Sequence, residues 1–497
     1  MTISAIPPVP LRSPDRFYID GDWVTPSGDS MFDVIDSHSE ELYFRVAEAQ
    51  PADMDLAIGA ARRAFDHGPW PRLTHAERAD FLRAVADRLE TRAEEYGQIW
   101  PRESGVVLST AQMLGPMDAA TMRYYADLAD TFPFEEAVTP TPSAFSAGYG
   151  LRVREPVGVA GLIVPWNAPL TLLVSKLAPA LLAGCTVVAK MSPEAPSAGY
   201  LMSEIADEVG LPRGVFNMLT ADREVSELLV RDPRVDKISF TGSTAAGRRI
   251  AGLCGERIAR CTLELGGKSA AVVLDDADLG FAATMIAAAE CFLSGQVCAS
   301  LTRIVVPRNR HDEFTDALAT TFSAMPVGDP FEPTTALGPL AMARQMDRVQ
   351  GYIAKGIEEG ATLRTGGGRP KHLDRGYYIE PTVFADVDNK HIIAQEEIFG
   401  PVLSVIPADN EEHAIDIAND TIYGLNAAVF TPDVAHAREV AGRLRSGTVG
   451  HNGFKVDYGI GFGGFKQSGI GRDGGVEGLL PYLEHKTVLL DGPPPGY

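Results

Sequence analysis

Cysteine is scarce: five residues in 497, at 185, 254, 261, 291 and 298, an odd number with no CxxC pair and no Cys/His ligand spacing. That sparseness excludes a disulfide framework and a structural zinc site, and it predicts reduced thiols. Basic residues are also short. Forty-four Lys and Arg stand against 66 Asp and Glu, a formal net charge of -22 that repels polyanions and argues against nucleic acid or an anionic membrane as partner. No run approaches the roughly 18 uninterrupted apolar residues of a membrane-spanning helix. The N-terminal 16 residues carry prolines and no sustained apolar stretch, so no secretory leader or anchor is expected and the cytoplasm is the expected compartment. Repeats of solenoid type are missing, and the one low-complexity tract is the terminal Gly492-Pro493-Pro494-Pro495-Gly496.

What remains is an ordinary globular composition, 45% hydrophobic and 22% charged, on a chain too long for one core. Thr74-His75-Ala76-Glu77 is a capping-box pattern, and Phe81, Leu82, Val85 and Leu89 follow at helical spacing, which predicts a surface helix. From 155 to 265, short apolar runs at 159–164, 186–189, 215–219, 237–240 and 262–265 alternate with stretches of helical length. Such alternation predicts a doubly wound parallel sheet. A second α/β series starts after Gly266, with strands expected at 270–274 and 302–306 and a helix from Asp278. Pro- and Gly-rich residues from Thr139 to Gly150 mark an excursion, read as a protruding hairpin.

Chemistry concentrates at a few positions. Thr241-Gly242-Ser243-Thr244 ends a strand and opens a helix, where free amides and the positive helix end suit a phosphate. A plain capped helix reads the same way. Gly242 to Gly247 has P-loop spacing, but Arg248 and Arg249 stand where that motif needs Lys and Ser/Thr. Gly469-Ile470-Gly471-Arg472-Asp473-Gly474 matches the dinucleotide fingerprint in letters only; no apolar strand leads into it, so it is read as a surface turn. Cys298 lies in a stretch of small residues between a helix and a strand, where a thiol can meet substrate, whereas Cys185 and Cys261 flank apolar strands and read as packing. Glu264 closes an apolar strand, so its carboxyl should titrate high and is either a base or a buried structural acid. Asn167, after Pro165-Trp166, either donates to an oxyanion or serves turn geometry.

Together, Pro165-Trp166-Asn167, Phe240-Thr241-Gly242-Ser243, Leu263-Glu264-Leu265-Gly266-Gly267-Lys268, Gly295-Gln296-Val297-Cys298 and Glu396-Glu397-Ile398-Phe399-Gly400-Pro401, in this order, resemble the aldehyde dehydrogenase superfamily. The resemblance runs from Ile19-Asp20-Gly21 to Gln467-Ser468-Gly469. It implies a dinucleotide-binding domain at 1–133 and 154–265, a catalytic domain at 266–464 and a bridging β element at 134–153 and 465–497. It further implies Cys298 as nucleophile, Glu264 as general base and Asn167 in the oxyanion hole. No metal is implied.

By the same resemblance, cofactor contacts fall at Ile163, Val164, Pro165 and Trp166, at Lys190, Ser192 and Glu194, at Phe240, Gly242 and Ser243, at Leu265 and Gly266, and at Glu397 and Phe399. Lys190 read alone is a surface lysine, Glu397 a helix-terminal charge and Phe399 core. The activity implied is oxidation of an aldehyde to a carboxylic acid with a nicotinamide dinucleotide. Glu264 favours the hydrolytic branch over the branch that transfers the acyl group to coenzyme A.

Three departures from the family pattern stand out. Pro193 occupies the place of a common ribose-binding acid and Glu194 carries the carboxylate one position on, so NAD is favoured and NADP left open. The stretch from Leu219 to Arg223 lacks glycines common in the family, and Gly461 replaces a frequent proline. Ala168, Ser175, Val297 and Ala299 suggest a wide apolar tunnel for a medium or large hydrophobic aldehyde. Exposed edges of the protruding strands imply a homo-oligomer, dimer or tetramer. The rival readings are a cysteine hydrolase, which lacks an evident His partner, and a non-catalytic nucleotide-binding protein.

Overall fold

A computed structural model describes residues 7–143, 145 and 147–495; the first part of the N-terminal stretch, two positions of the hairpin excursion and the last residue of the Pro-rich tract lie outside these. The first core is an eight-stranded sheet. Its five central strands run parallel in the spatial order Arg260–Glu264, Lys237–Thr241, Val159–Ile163, Thr186–Met191, Phe216–Thr220. Chain order therefore steps one way from Val159–Ile163, returns, and steps the other way. The reversal opens a crevice beyond Ile163 and Thr241, where ligands of doubly wound sheets bind.

Alternation along each strand feeds both layers. Ala160 and Leu162 face the helices Pro169–Ala183 and Ser197–Glu208, while Val159 and Ile163 face Pro51–His67, Arg223–Arg231 and Thr244–Glu256. The expected helix at His75–Thr91 forms with its capping box: the Thr74 hydroxyl accepts from the Glu77 amide, and the Glu77 carboxylate accepts from the Thr74 amide at 2.7 Å. Leu82, Val85 and Leu89 are buried, with Phe81 packed at their margin against Trp70.

The sheet is extended antiparallel at both ends, by Phe17–Ile19 with Asp22–Val24 and by Gly469–Ile470. The last pair corrects the surface-turn reading of the Gly469 to Gly474 string. A Cβ on Gly469 would stand 2.1 Å from the Leu263 carbonyl oxygen, so glycine serves a close strand approach there rather than only a turn.

A second, seven-stranded sheet is parallel except at one edge, in the order Thr362–Thr365, Thr382–Ala385, Val402–Ala408, Arg303–Pro307, Ala270–Val273, Asn426–Phe430, Thr448–His451. The expected helix after Asp278 spans Leu279–Cys291, with Asp278 as its cap. The excursion is a strand pair, Glu135–Val138 with Tyr149–Pro156, joined on its other side by Leu483–Leu490 over eight registers. Among the described residues, no helix is long and apolar enough to cross a membrane.

Candidate active site

The loop that leads into Cys298 is strained backbone. Leu293, Ser294 and Gly295 are consecutive left-handed residues, at φ of 48, 57 and 72°. Fixed neighbours hold them there. Gln296 donates to the Ser104 and Leu293 carbonyls, both at 3.1 Å, and accepts from the Ala341 amide at 2.9 Å. A Cβ on Gly295 would meet the Gly400 carbonyl carbon at 2.5 Å, so position 295 needs glycine for space as well as for φ. The bend delivers Cys298, half-buried, into a cavity of about 570 Å³.

Glu264 and Asn167 line the same cavity, so the structure brings the three expected reactive groups together. Glu264 ends its strand, is 3% exposed, and neither carboxylate oxygen has a hydrogen-bond partner among the described residues. Burial, reinforced by Asp473, pushes its pKa well above the usual carboxylate range, against the pull of Lys176 and Arg472. Asn167 is fixed at both ends: its Nδ2 donates to the Gln296 carbonyl at 2.9 Å, and its own carbonyl accepts from the Trp100 indole at 3.1 Å. One amide hydrogen is left for the cavity. Burial pushes the Cys298 thiol up to about 12, with Glu397 and Glu264 adding to the effect.

Pro165, Trp166, Gly242, Ser243, Leu265, Glu397 and Phe399 form the remaining wall reached by the expected contacts. Trp166 and Phe399 meet edge to face at 5.3 Å. Phe399 holds a left-handed φ of 65°, and buried Gln345 secures it by donating to the Phe399 carbonyl at 2.7 Å. Glu397 accepts from the Gly267 amide at 3.3 Å; burial raises it to about 7 against that bond, Arg348 and Lys268.

A second cavity of about 740 Å³ adjoins the first and is lined by Ile163, Lys190, Ser192, Glu194, Phe240 and Ser243. Burial lowers Lys190 to about 8, with Glu194 and Asp222 opposing. The Ser192 hydroxyl donates to Glu194, which also pairs with Arg344 at 2.5 Å. Ser243 caps the 13-residue helix Thr244–Glu256.

Two expected contacts line neither cavity. Val164 points into the core, its amide bonded to the Lys190 carbonyl at 3.1 Å, and Gly266 is screened by Glu397, whose Oε2 lies 2.5 Å from where a Cβ on Gly266 would be. Arg223, Arg344, Gln345 and Arg348 were not expected in the cavities; the last three sit on the first turns of helix Ala343–Glu358, far in sequence from any motif. Lys176 was missed too. A single charge in the apolar helix Pro169–Ala183 was the available signal.

A doubly wound crevice that adjoins a thiol and a partnerless carboxyl is the arrangement of a dinucleotide-dependent oxidoreductase working through a cysteine. The aldehyde dehydrogenase family model matches residues 23–488, and the chain belongs to that family. Geranial dehydrogenase of Castellaniella defragrans is 44% identical over 478 residues, 96% of this chain and 99% of the relative. The 3-succinoylsemialdehyde-pyridine dehydrogenase of a Pseudomonas species is 41% identical over 485 residues, again 96% and 99% of the two chains. Among solved structures, a Mycobacterium tuberculosis aldehyde dehydrogenase complexed with NAD+ superposes with a TM-score of 0.93 at 45% identity, covering 97% and 99% of the chains. A mutant of aldehyde dehydrogenase C from Pseudomonas syringae, with NAD+ and octanal, gives 0.92 at 40% identity, with 97% and 98% coverage.

Proposed function

We propose that the protein oxidises an apolar aldehyde to the carboxylic acid with NAD, through a thioester on Cys298 that water hydrolyses with Glu264 as general base. The observation that carries this reading is the shared cavity of Cys298, Glu264 and Asn167. The adjoining cavities fit a dinucleotide: a helix N-terminus at Ser243, Lys190 and Glu194 on the adenosine side, and Trp166, Glu397 and Phe399 beside the thiol. Both structural relatives described above are complexes with NAD+. When bound, the nicotinamide ring supplies the hydride acceptor.

The chain's own residues do the rest. The Cys298 sulfur attacks the carbonyl carbon, and the free Asn167 amide hydrogen with the Cys298 backbone amide holds the oxyanion. Collapse of that adduct, with the former aldehyde hydrogen leaving as hydride, leaves the thioester. Glu264 then takes a proton from the attacking water, and its raised pKa makes its carboxylate a stronger base. Val297, Ala299, Leu425, Phe454, Val456 and Phe462 surround Cys298 with hydrocarbon, which supports an apolar substrate of medium or large size. The relatives named for geranial and crystallised with octanal agree in kind.

The domain division expected from the sequence, the 134–153 and 465–497 segments as a bridging element, and a homo-oligomer belong to the same proposal. Glu135–Val138 and Thr448–His451 are the terminal strands of their sheets among the described residues, places where a second copy would add. All five cysteines are free, which suits the cytoplasm. A panel of aldehydes with NAD or NADP, followed by absorbance of the reduced nicotinamide and by product analysis, tests the reading. Formation of free acid with NAD supports it; strict dependence on coenzyme A, or no reduction with any aldehyde, would overturn it.

A further inference from the structure

The two cavities share three lining residues, Arg223, Ser243 and Arg344. A dinucleotide that lays adenosine in one cavity and nicotinamide in the other must thread this junction, and the part of it that lies midway is the diphosphate. Ser243 meets it with a helix N-terminus. The guanidiniums come from opposite sides: Arg223 opens the helix Arg223–Arg231 of the first sheet's layer, and Arg344 lies in the first turn of Ala343–Glu358, which packs in the core of the second.

We propose that Arg223 and Arg344 form a two-sided clamp on the diphosphate. This rests on the dinucleotide reading above and adds to it residues that no motif of the chain announces. The guanidinium fork matches two phosphate oxygens in one plane, and two forks balance the double negative charge. Arg344 already has a partner at 2.5 Å, Glu194, whose carboxylate is also held by the Ser192 hydroxyl. Moving Arg344 from Glu194 to the diphosphate exchanges one anion for another, and it frees the Glu194 carboxylate to accept ribose hydroxyls in the adenosine cavity. Arg223 is exposed and enters no ion pair among the described residues, so it reaches the ligand without breaking one.

The test is calorimetric titration of the full-length wild type, Arg223→Gln, Arg344→Gln and Arg344→Lys with NAD, ADP-ribose and adenosine. Each glutamine variant should weaken NAD and ADP-ribose about five- to tenfold, the scale of a partly exposed charge-assisted contact, and should not weaken adenosine. Arg344→Lys should recover part of the loss, because it keeps the charge and loses the fork. If the wild type binds NAD and both glutamine variants match it within about twofold, the clamp is wrong and the dinucleotide reading stands. Equal weakening of adenosine in the variants also overturns the clamp. A wild type that binds neither NAD nor ADP-ribose sinks both readings.

Discussion

Lys176 and Asp473 form an ion pair 297 positions apart in sequence, with side-chain exposures of 0% and 3%, and both act on the Glu264 carboxyl. Burial raises the Glu264 pKa most, Asp473 adds to it and Lys176 opposes it, so the pair adjusts the proton affinity of the expected base. Asp473→Asn removes the raising charge and strands a buried cation that lowers the pKa further. The ionised, basic form of Glu264 is then present at lower pH, and the acid limb of the thioester-hydrolysis profile should move to lower pH. Loss of one partner of a buried pair should also cost about 3 kcal/mol or more in denaturant unfolding. A variant with the wild-type pH profile would remove Asp473 from the positioning role.

Cys298→Ala should abolish NADH formation. Glu264→Gln should leave the first turnover intact while slowing hydrolysis by about 10² or more, the usual worth of a general base. Rapid mixing with excess aldehyde would then show a burst of NADH near one per active site, followed by a slow phase. A Gln variant with wild-type turnover and no burst would strip Glu264 of its role.

Much of this site was legible in the sequence, and the boundary of legibility is physical. Strand–helix alternation, the Thr74 capping box and the Cys298, Glu264 and Asn167 motifs are local patterns, and local patterns survive without coordinates. Arg344 and Gln345 carry no such mark; they matter because the first turn of their helix faces Phe399 and Glu194 across the crevice. Gly469 misled for the opposite reason, since glycine serves turns and close strand contacts alike. Lys176 was readable and was passed over: one ammonium within Pro169–Ala183 requires a buried anion somewhere, though only the fold identifies it as Asp473.

Gly267→Ala tests how tightly the nucleophile is placed. A Cβ there would lie 2.3 Å from the Cys298 carbonyl oxygen and 3.2 Å from the Leu425 side chain, so backbone must shift. Displacement of a reacting atom by about 1 Å can cost about 10²-fold, and that is the expected fall in kcat. Circular dichroism should stay close to wild type; full activity would mean that the loop tolerates the shift.

The pH dependence of acylation follows from the Cys298 thiol, raised by burial and by Glu397 and Glu264 to about 12. A raised thiol pKa leaves the neutral form dominant at neutral pH, so the attacking thiolate grows by about tenfold per pH unit toward alkali. Pre-steady-state bursts measured from about pH 6 to 10, a span that lies wholly below that pKa, should therefore accelerate with pH. Glu397→Gln removes one of the two raising charges and should lower the thiol's pKa, so alkylation of Cys298 by iodoacetamide in the cofactor-free protein should quicken at neutral pH. An unchanged alkylation rate would remove Glu397 from the groups that raise the thiol.

Substrate size is the last expectation. Phe454, Val456, Tyr458 and Phe462 belong to the apolar cluster packed around Cys298, with Tyr458 and Phe462 at 5.6 Å. Each methylene that enters such a wall gains about 0.8 kcal/mol, a factor of about four in kcat/KM. Straight-chain aldehydes from acetaldehyde upward should climb at that pitch until the chain fills the channel and then level off. Phe454→Ser should flatten the climb for the long members and spare acetaldehyde, because the short chain does not reach the ring. A flat series in the wild type, or a preference for cationic aldehydes, would place the specificity elsewhere than in this hydrocarbon wall.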